Sequence, residues 1–303
     1  MIEITDKLAE SPVQKIKFRG RNYFLKRDDL INYWFNGNKA RKFHYYLNAD
    51  LSAYKKVASC GGNQSNAMFS LAAFAKIKGL QFDYYIKPLP LFLKKNPVGN
   101  FKYALELGMN YIELPDYETF YKKVSSPEKT YDILGKDTLF IRQGGAEKEA
   151  EYGVKKMADE INLWAKENNI KKLSIFIQSG TGTTALFLQK HLNFTVYTTP
   201  NIGTGDYLRK QFALLDKNPE NYPVILETKK KYVFGKPYAE FYNIWKEISE
   251  ENNVEFELLY DPKTLIALDE HNAAVEGEIM YIHSGGQAGN ESMLLRYKYE
   301  GII

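Results

Sequence analysis

Residues 173–192 read LSIFIQSGTGTTALFLQKHL. An apolar, β-branched run ends at Gln178, six small residues follow (Ser179, Gly180, Thr181, Gly182, Thr183 and Thr184), and from Ala185 the pattern is helical. Strand, glycine turn and helix in succession form the repeating unit of a parallel α/β sheet. The glycines let the backbone approach an anion closely, the first helical turn has unpaired N–H groups, and the hydroxyls add donors. Phosphate is the natural guest of such a loop.

The same grammar recurs on either side. VASCGGNQSNAMFSLAAFAKIKGL, from Val57, is another apolar run that breaks into small polar residues before an alanine-rich helix. DYYIKP, DTLFIRQ, FTVYTT and EIMYIH read as further short buried strands. Between them, Val154, Met157, Ile161 and Trp164 recur at helical spacing and predict a core-facing helix from Ala146 to about Asn168. Four strands end in a polar residue followed by glycine, in VASCGG, FIRQGG, IFIQSG and MYIHSGG. In open α/β sheets ligands bind outside the carboxyl ends of the strands, so four such ends predict one shared cleft.

The chain of 303 residues is long enough for one large or two medium domains. A formal charge of +4, from 41 basic and 37 acidic residues, does not point to nucleic acid or an anionic membrane. One cysteine, Cys60, leaves no disulfide framework and no cysteine metal site. His44, His191, His271 and His283 lack ligand spacing, so no metal is expected. The N-terminal stretch has neither a basic start nor an apolar core, and no run of about 18 apolar residues occurs. A cytoplasmic protein is the expectation. With no linker and no repeat, a second domain is expected to be inserted into the first.

Three phosphate ligands compete for the glycine loop. Gly180-x-Gly182-x-x-Ala185 matches a dinucleotide fingerprint, but the next strand ends without the acid that would hold a ribose. A nucleoside triphosphate would want a lysine at the end of the loop. A small cofactor with one phosphate and no ribose fits better.

Lys39, in NGNKARK, would alone be one surface lysine among many. In the order KRDDL, GNKARK, GGNQSN, SGTGTT and HSGG, it is part of a set. That set resembles the pyridoxal phosphate (PLP) enzymes of the tryptophan synthase β-like fold. The nearer likeness is to the branch with 1-aminocyclopropane-1-carboxylate (ACC) deaminase and D-cysteine desulfhydrase, and it runs from about Ser11 to Gly289. The resemblance implies an α/β fold of two open, twisted, mostly parallel sheets with flanking helices (fold type II). Residues 1–48 and 161–303 would form a large PLP-binding domain, and 49–160 an inserted small domain. Lys39 matches the lysine that holds the cofactor aldehyde and then moves protons. Lys42 matches a phosphate-contacting lysine, Gly180 to Thr184 the phosphate cup, and Asn66 the partner of the cofactor's ring hydroxyl. Gln64, Ser65, Asn66 and Ala67 match the loop that grips the substrate carboxylate, and Ser65 also matches a serine implicated in proton transfer or nucleophilic attack.

The chain departs from the family pattern in two places. Asn36-Gly37 replaces a glycine pair, a change that a left-handed backbone tolerates. In LLYDPKTL, Tyr260 matches a tyrosine near the substrate, while Asp261 stands where one relative has glutamate and the other threonine. Ser284 stands where they have leucine and threonine, so either Asp261 or Ser284 is expected at the pyridine nitrogen. The implied activity is that of a homodimeric lyase or deaminase on a small amino acid. The first choice is D-cysteine desulfhydrase-like β-elimination to a 2-oxo acid, ammonia and sulfide; the alternative is ACC deaminase. A nicotinamide oxidoreductase or a non-catalytic PLP-binding protein are more distant readings.

Overall fold

The computed structural model describes residues 10–35, 37–272 and 275–303. Asn36 and the first nine residues of the stretch read for a leader lie outside them. The loop-bearing strand β7 (Leu173–Ser179) is buried along its whole length, as a strand covered on both faces must be. It pairs in parallel with β10 (Glu278–Ile282) and β8 (Thr195–Pro200). Beyond β8 lies β9 (Val224–Ile225); beyond β10 lie β2 (Arg21–Lys26) and the antiparallel β1 (Val13–Phe18), giving the order β1-β2-β10-β7-β8-β9. A second, wholly parallel sheet runs β5-β4-β3-β6, from β3 (Lys56–Cys60), β4 (Gln81–Ile86), β5 (Met109–Glu113) and β6 (Thr138–Phe140). This is the expected α/β architecture of two open, mostly parallel sheets.

The helices are α1 (Gly37–Asn48), α2 (Asn66–Lys78), α3 (Leu91–Lys95), α4 (Gly99–Glu106), α5 (Tyr117–Val124), α6 (Pro127–Leu134), α7 (Ala150–Glu167), α8 (Thr183–His191), α9 (Gly205–Leu215), α10 (Ala239–Asn252), α11 (Asp261–His271) and α12 (Asn290–Tyr299). None is long and apolar enough to cross a membrane among the described residues. Alternation along β7 splits the large core into two layers. Ile175 and Ile177 face α7 and α8, and Phe176 faces α10 and α11 on the other side. The small sheet has its own core, in which Val57 and Phe82 meet Leu71 and Phe74 of α2 and Ala40 and Phe43 of α1.

Two expectations about α7 need adjusting. The helix begins at Ala150 instead of Ala146, because Glu147 is held outside it: its carboxylate accepts from the Arg142 N–H (2.8 Å) and the Tyr46 hydroxyl (2.6 Å). The boundary expected at residue 161 falls inside this continuous helix, whose Ala150, Val154 and Met157 already pack on the large sheet. We therefore place the return crossing between β6 and Ala150.

One buried charge cluster fixes α1 against the large sheet. Arg41, with no exposure, donates to Asp28 at 2.8 and 3.0 Å and also pairs with Glu160 of α7, which holds Lys26 of β2. Burial alone would raise the Asp28 pKa, but the charge and hydrogen bonds of Arg41 outweigh it and hold the carboxyl below its ordinary value. Gly153 lets the helices touch, since a Cβ there would lie 2.0 Å from the Arg41 carbonyl oxygen.

Candidate active site

The four glycine-terminated strand ends converge on one cleft, open to solvent at its mouth. After β7, the chain turns through Gly182 (φ 74°), which caps α8. A Cβ on Gly182 would lie 2.4 Å from the Phe212 ring, so a side chain there is excluded by space as well as by backbone. Thr181 and Thr183 join hydroxyls at 3.0 Å, and the Thr184 hydroxyl is buried without a partner. Lys42 reaches in from α1, donating to the Gly144 carbonyl at 2.9 Å and lying 3.4 Å from the Thr181 hydroxyl. Burial, and then the nearby charge of Lys39, holds the Lys42 amine well below the ordinary lysine pKa. An arriving anion would relieve that penalty.

Lys39 lies one turn before Lys42 and donates to Asn38 Oδ1 at 2.7 Å. Burial lowers its pKa to about 8, opposed by the charge of Glu257. Gly37 (φ 59°) puts the start of α1 directly against the β10 loop: a Cβ there would lie 1.6 Å from the Ser284 carbonyl oxygen, which accepts the Asn38 N–H at 3.0 Å. His283, fully buried, shapes that loop by accepting the Gly285 N–H at 3.2 Å while Nε2 meets the Glu255 carbonyl at 2.9 Å. The Ser284 hydroxyl lines the cleft, buried and unpartnered.

Beyond β3, Ser65 is the N-cap of α2 and accepts the N–H groups of Ala67 (3.2 Å) and Met68 (3.4 Å). Ser65, Asn66 and Ala67 line the cleft; Gln64 does not. Its side chain turns away to donate to the Val98 carbonyl at 3.0 Å. Cys60 is buried beneath this loop, and burial pushes its thiol up to about 11.

Of the sequence-predicted residues, Lys39, Lys42, Ser65, Asn66, Ala67, Gly180 to Thr184, Tyr260 and Ser284 meet in this cleft. Asp261 does not reach it. As the first residue of α11 it is fully buried, with Oδ1 accepting from Gln178 (3.0 Å) and Tyr281 (2.7 Å) and Oδ2 from the Glu257 N–H (2.7 Å). The expectation that Asp261 faces a bound ring is corrected: helix geometry turns it inward, beneath the wall. The carboxyl in the cleft is that of Glu257, and Gln143, Gly144, Gln178 and Ile202 also line it. The strand ends RQGG and IQSG already pointed to Gln143 and Gln178. Glu257 had a fainter signal, an acid inside the apolar run EFELLY.

No family model matches the chain. A curated relative, a putative 1-aminocyclopropane-1-carboxylate deaminase of Thermotoga maritima, is 28% identical over 313 residues, covering 93% of this chain and 95% of its own length. The crystal structure of an ACC deaminase homologue superposes with a TM-score of 0.76 at 21% identity, over 97% of this chain and 94% of that one. The chain has the fold of the tryptophan synthase β-like, fold type II enzymes. Its sequence likeness, over nearly the whole chain, is to the ACC deaminase homologues. A pyridoxal 5'-phosphate-dependent aspartate racemase shares the fold type II architecture, with a TM-score of 0.62 at 12% identity over 91% of this chain and 90% of that one.

Members of the fold type II family use PLP, and the residues of this cleft fit it. A glycine–threonine cradle, an amine with a lowered pKa, and buried unpartnered hydroxyls at Thr184 and Ser284 are what a phosphate, an aldehyde and a heteroaromatic ring would engage.

Proposed function

We propose that the chain is a PLP-dependent deaminase or lyase of a small amino acid, with ACC the first substrate to test. One observation carries this: Lys39, the Gly180–Thr184 cup and the N-terminus of α2 line a single cleft. The name of the Thermotoga relative supports the choice of ACC over D-cysteine, which sequence reasoning put first.

Bound PLP supplies an electron sink for a carbanion beside the amino nitrogen. Lys39 provides the attaching amine and, when released, a base; the hydroxyls of Thr181, Thr183 and Thr184 and the Lys42 amine would hold the phosphate. The N-terminus of α2 would bind the substrate carboxylate. Ser65 is suited to donate to it, because its oxygen already accepts two N–H groups and its hydroxyl, beside the Tyr84 phenol, is left the part of donor. The same two bonds make Ser65 a weaker nucleophile than the sequence suggested. Burial, and then Glu257, keeps the Tyr260 phenol protonated, so it can donate a proton to a leaving carbon or sulfur. ACC has no α-proton for Lys39 to take, so its ring opening must begin at Tyr260 or Ser65.

Ser284 favours the second reading, D-cysteine desulfhydration. Its hydroxyl is the free group nearest the role of pyridine partner, and a neutral partner leaves the ring a weaker sink, enough for β-elimination. Release of 2-oxo acid from ACC, D-cysteine and L-cysteine, with sulfide from the last two, separates the readings. Added PLP should give a visible band at roughly 410–430 nm that Lys39→Ala abolishes; a wild-type protein that gains no band rejects the proposal.

A further inference from the structure

Glu257 has so far entered only through its charge on Lys39 and Tyr260, yet it is a carboxyl only 2% exposed in the wall of the cleft. It terminates a chain of hydrogen bonds whose direction can be worked out. Asn100 Nδ2, on α4, donates to the backbone carbonyl of Gln64 at 3.0 Å and to Asn66 Oδ1 at 2.6 Å. A backbone carbonyl can only accept, so the Asn100 amide must present its NH2 group there. Asn66 must then present its oxygen to Asn100 and its nitrogen to Glu257, where Nδ2 meets Oε1 at 2.9 Å. Neither amide can flip without setting donor against donor or acceptor against acceptor.

The far end of this chain is equally constrained. A Cβ on Gly286 would lie 2.5 Å from Asn66 Nδ2 and 2.7 Å from the Glu257 carboxyl carbon, so the loop after β10 closes over the contact. Burial, and then the charge of Asp261, pushes the Glu257 pKa well above its ordinary value, against Asn66 and Lys39. The titratable groups facing it are Lys39 on α1, Asp261 on α11 and Tyr260. Neutral or ionised, Oε1 remains an acceptor. The Asn66 nitrogen carries two hydrogens, and Glu257 takes one, so a single N–H is left for the cleft.

We infer that Glu257 is a positioning residue for Asn66: it fixes the amide so that its one free N–H is offered to the ring hydroxyl of the bound cofactor. The inference rests on the PLP reading for the identity of that acceptor; the clamp itself is a property of the protein alone.

The experiment therefore has two arms. In cofactor-free protein the two side-chain amide protons of Asn66 should give well-separated NMR signals. Glu257→Gln, which keeps the acceptor and the shape, should preserve the separation, and Glu257→Leu should collapse it. With PLP added, Glu257→Leu should bind about tenfold more weakly, with Glu257→Gln within about twofold of wild type. In an Asn66→Ala background Glu257→Leu should cost nothing more. Should Glu257→Leu fail to fold, Asn100→Leu releases the other end of the amide and should weaken binding by the same factor. An equal loss with and without Asn66, or a Glu257→Gln protein as weak as Glu257→Leu, overturns the inference. A wild-type protein that gains no band with PLP instead rejects the functional reading, and the amide signals still test the clamp.

Discussion

Lys39 and Arg41 lie two residues apart on α1 and meet opposite electrostatic fates. Lys39 loses solvent and gains little charge compensation, so its pKa falls to about 8 from 10.5. Its reaction with a small acylating reagent should show a midpoint near the lower value, measured as labelling rate against pH; a midpoint at the ordinary lysine value would refute the burial. The stability effect has a defined sign: a base with a lowered folded pKa costs stability below that pKa, and the cost fades as pH rises to the unfolded value. Lys39→Met should therefore unfold at higher urea than wild type at pH 7, and the gap should close between about 8 and 10.5. Arg41 is fully paired, so Arg41→Met strips the buried Asp28 of its guanidinium, while Glu160 keeps Lys26, and should cost about 3–5 kcal/mol in urea unfolding. Sequence made Lys39 legible because its neighbours in order gave it company. It misassigned Asp261 because one residue's step on a helix, about 100°, decides which side chain meets the cleft and which goes beneath it. Glu257 escaped because it lies in the non-helical stretch before α11, where no periodicity marks which side chain enters the cleft.

Among the elements, α1 depends on a single glycine more than on its own composition. The left-handed Gly37 backbone and the Ser284 carbonyl 1.6 Å from its hypothetical Cβ make Gly37→Ala both strained and obstructed. We expect a loss of at least about 2 kcal/mol by thermal unfolding, with PLP binding weakened because Lys39 moves with the helix start. A variant with unchanged stability and binding would show that α1 does not need that close approach. Buried strands such as β7 were readable from uninterrupted apolar runs, whereas β5 was not. Its residues are mostly half-buried or exposed, so its run of Met109 to Glu113 carries no such pattern. β1 was hidden in the same way by the polar side chains of a sheet edge, and β2, just inside it, by the polar residues at its start.

On the scale of the whole molecule, the cleft draws its walls from the ends of both sheets, so a ligand there should stabilise the whole chain. Saturating PLP should raise the unfolding free energy by about 2.7 kcal/mol at a hundredfold excess over Kd. Gly182→Ala, which forces a Cβ to 2.4 Å from Phe212, should remove that gain; a full ligand-induced shift in this variant would count against the cup as the phosphate site. The α/β plan was legible because the strand–glycine–helix units repeat, and its division into two sheets came from the family resemblance. The point where α7 returns to the large sheet was not, because a helical pattern does not say which sheet it will cover.

Strand order also has a consequence for how the chain is made. β10 lies at the heart of the six-stranded sheet, between β2 and β7, yet it is synthesised after every other strand. Until residues 278–282 leave the ribosome, β2 and β7 each present an unpaired edge, the kind of surface that invites wrong partners. The small sheet is encoded without interruption and needs no such wait. The cleft, with Ser284, can therefore be complete only once β10 has joined the larger sheet, by which point every strand of the small sheet has long been made.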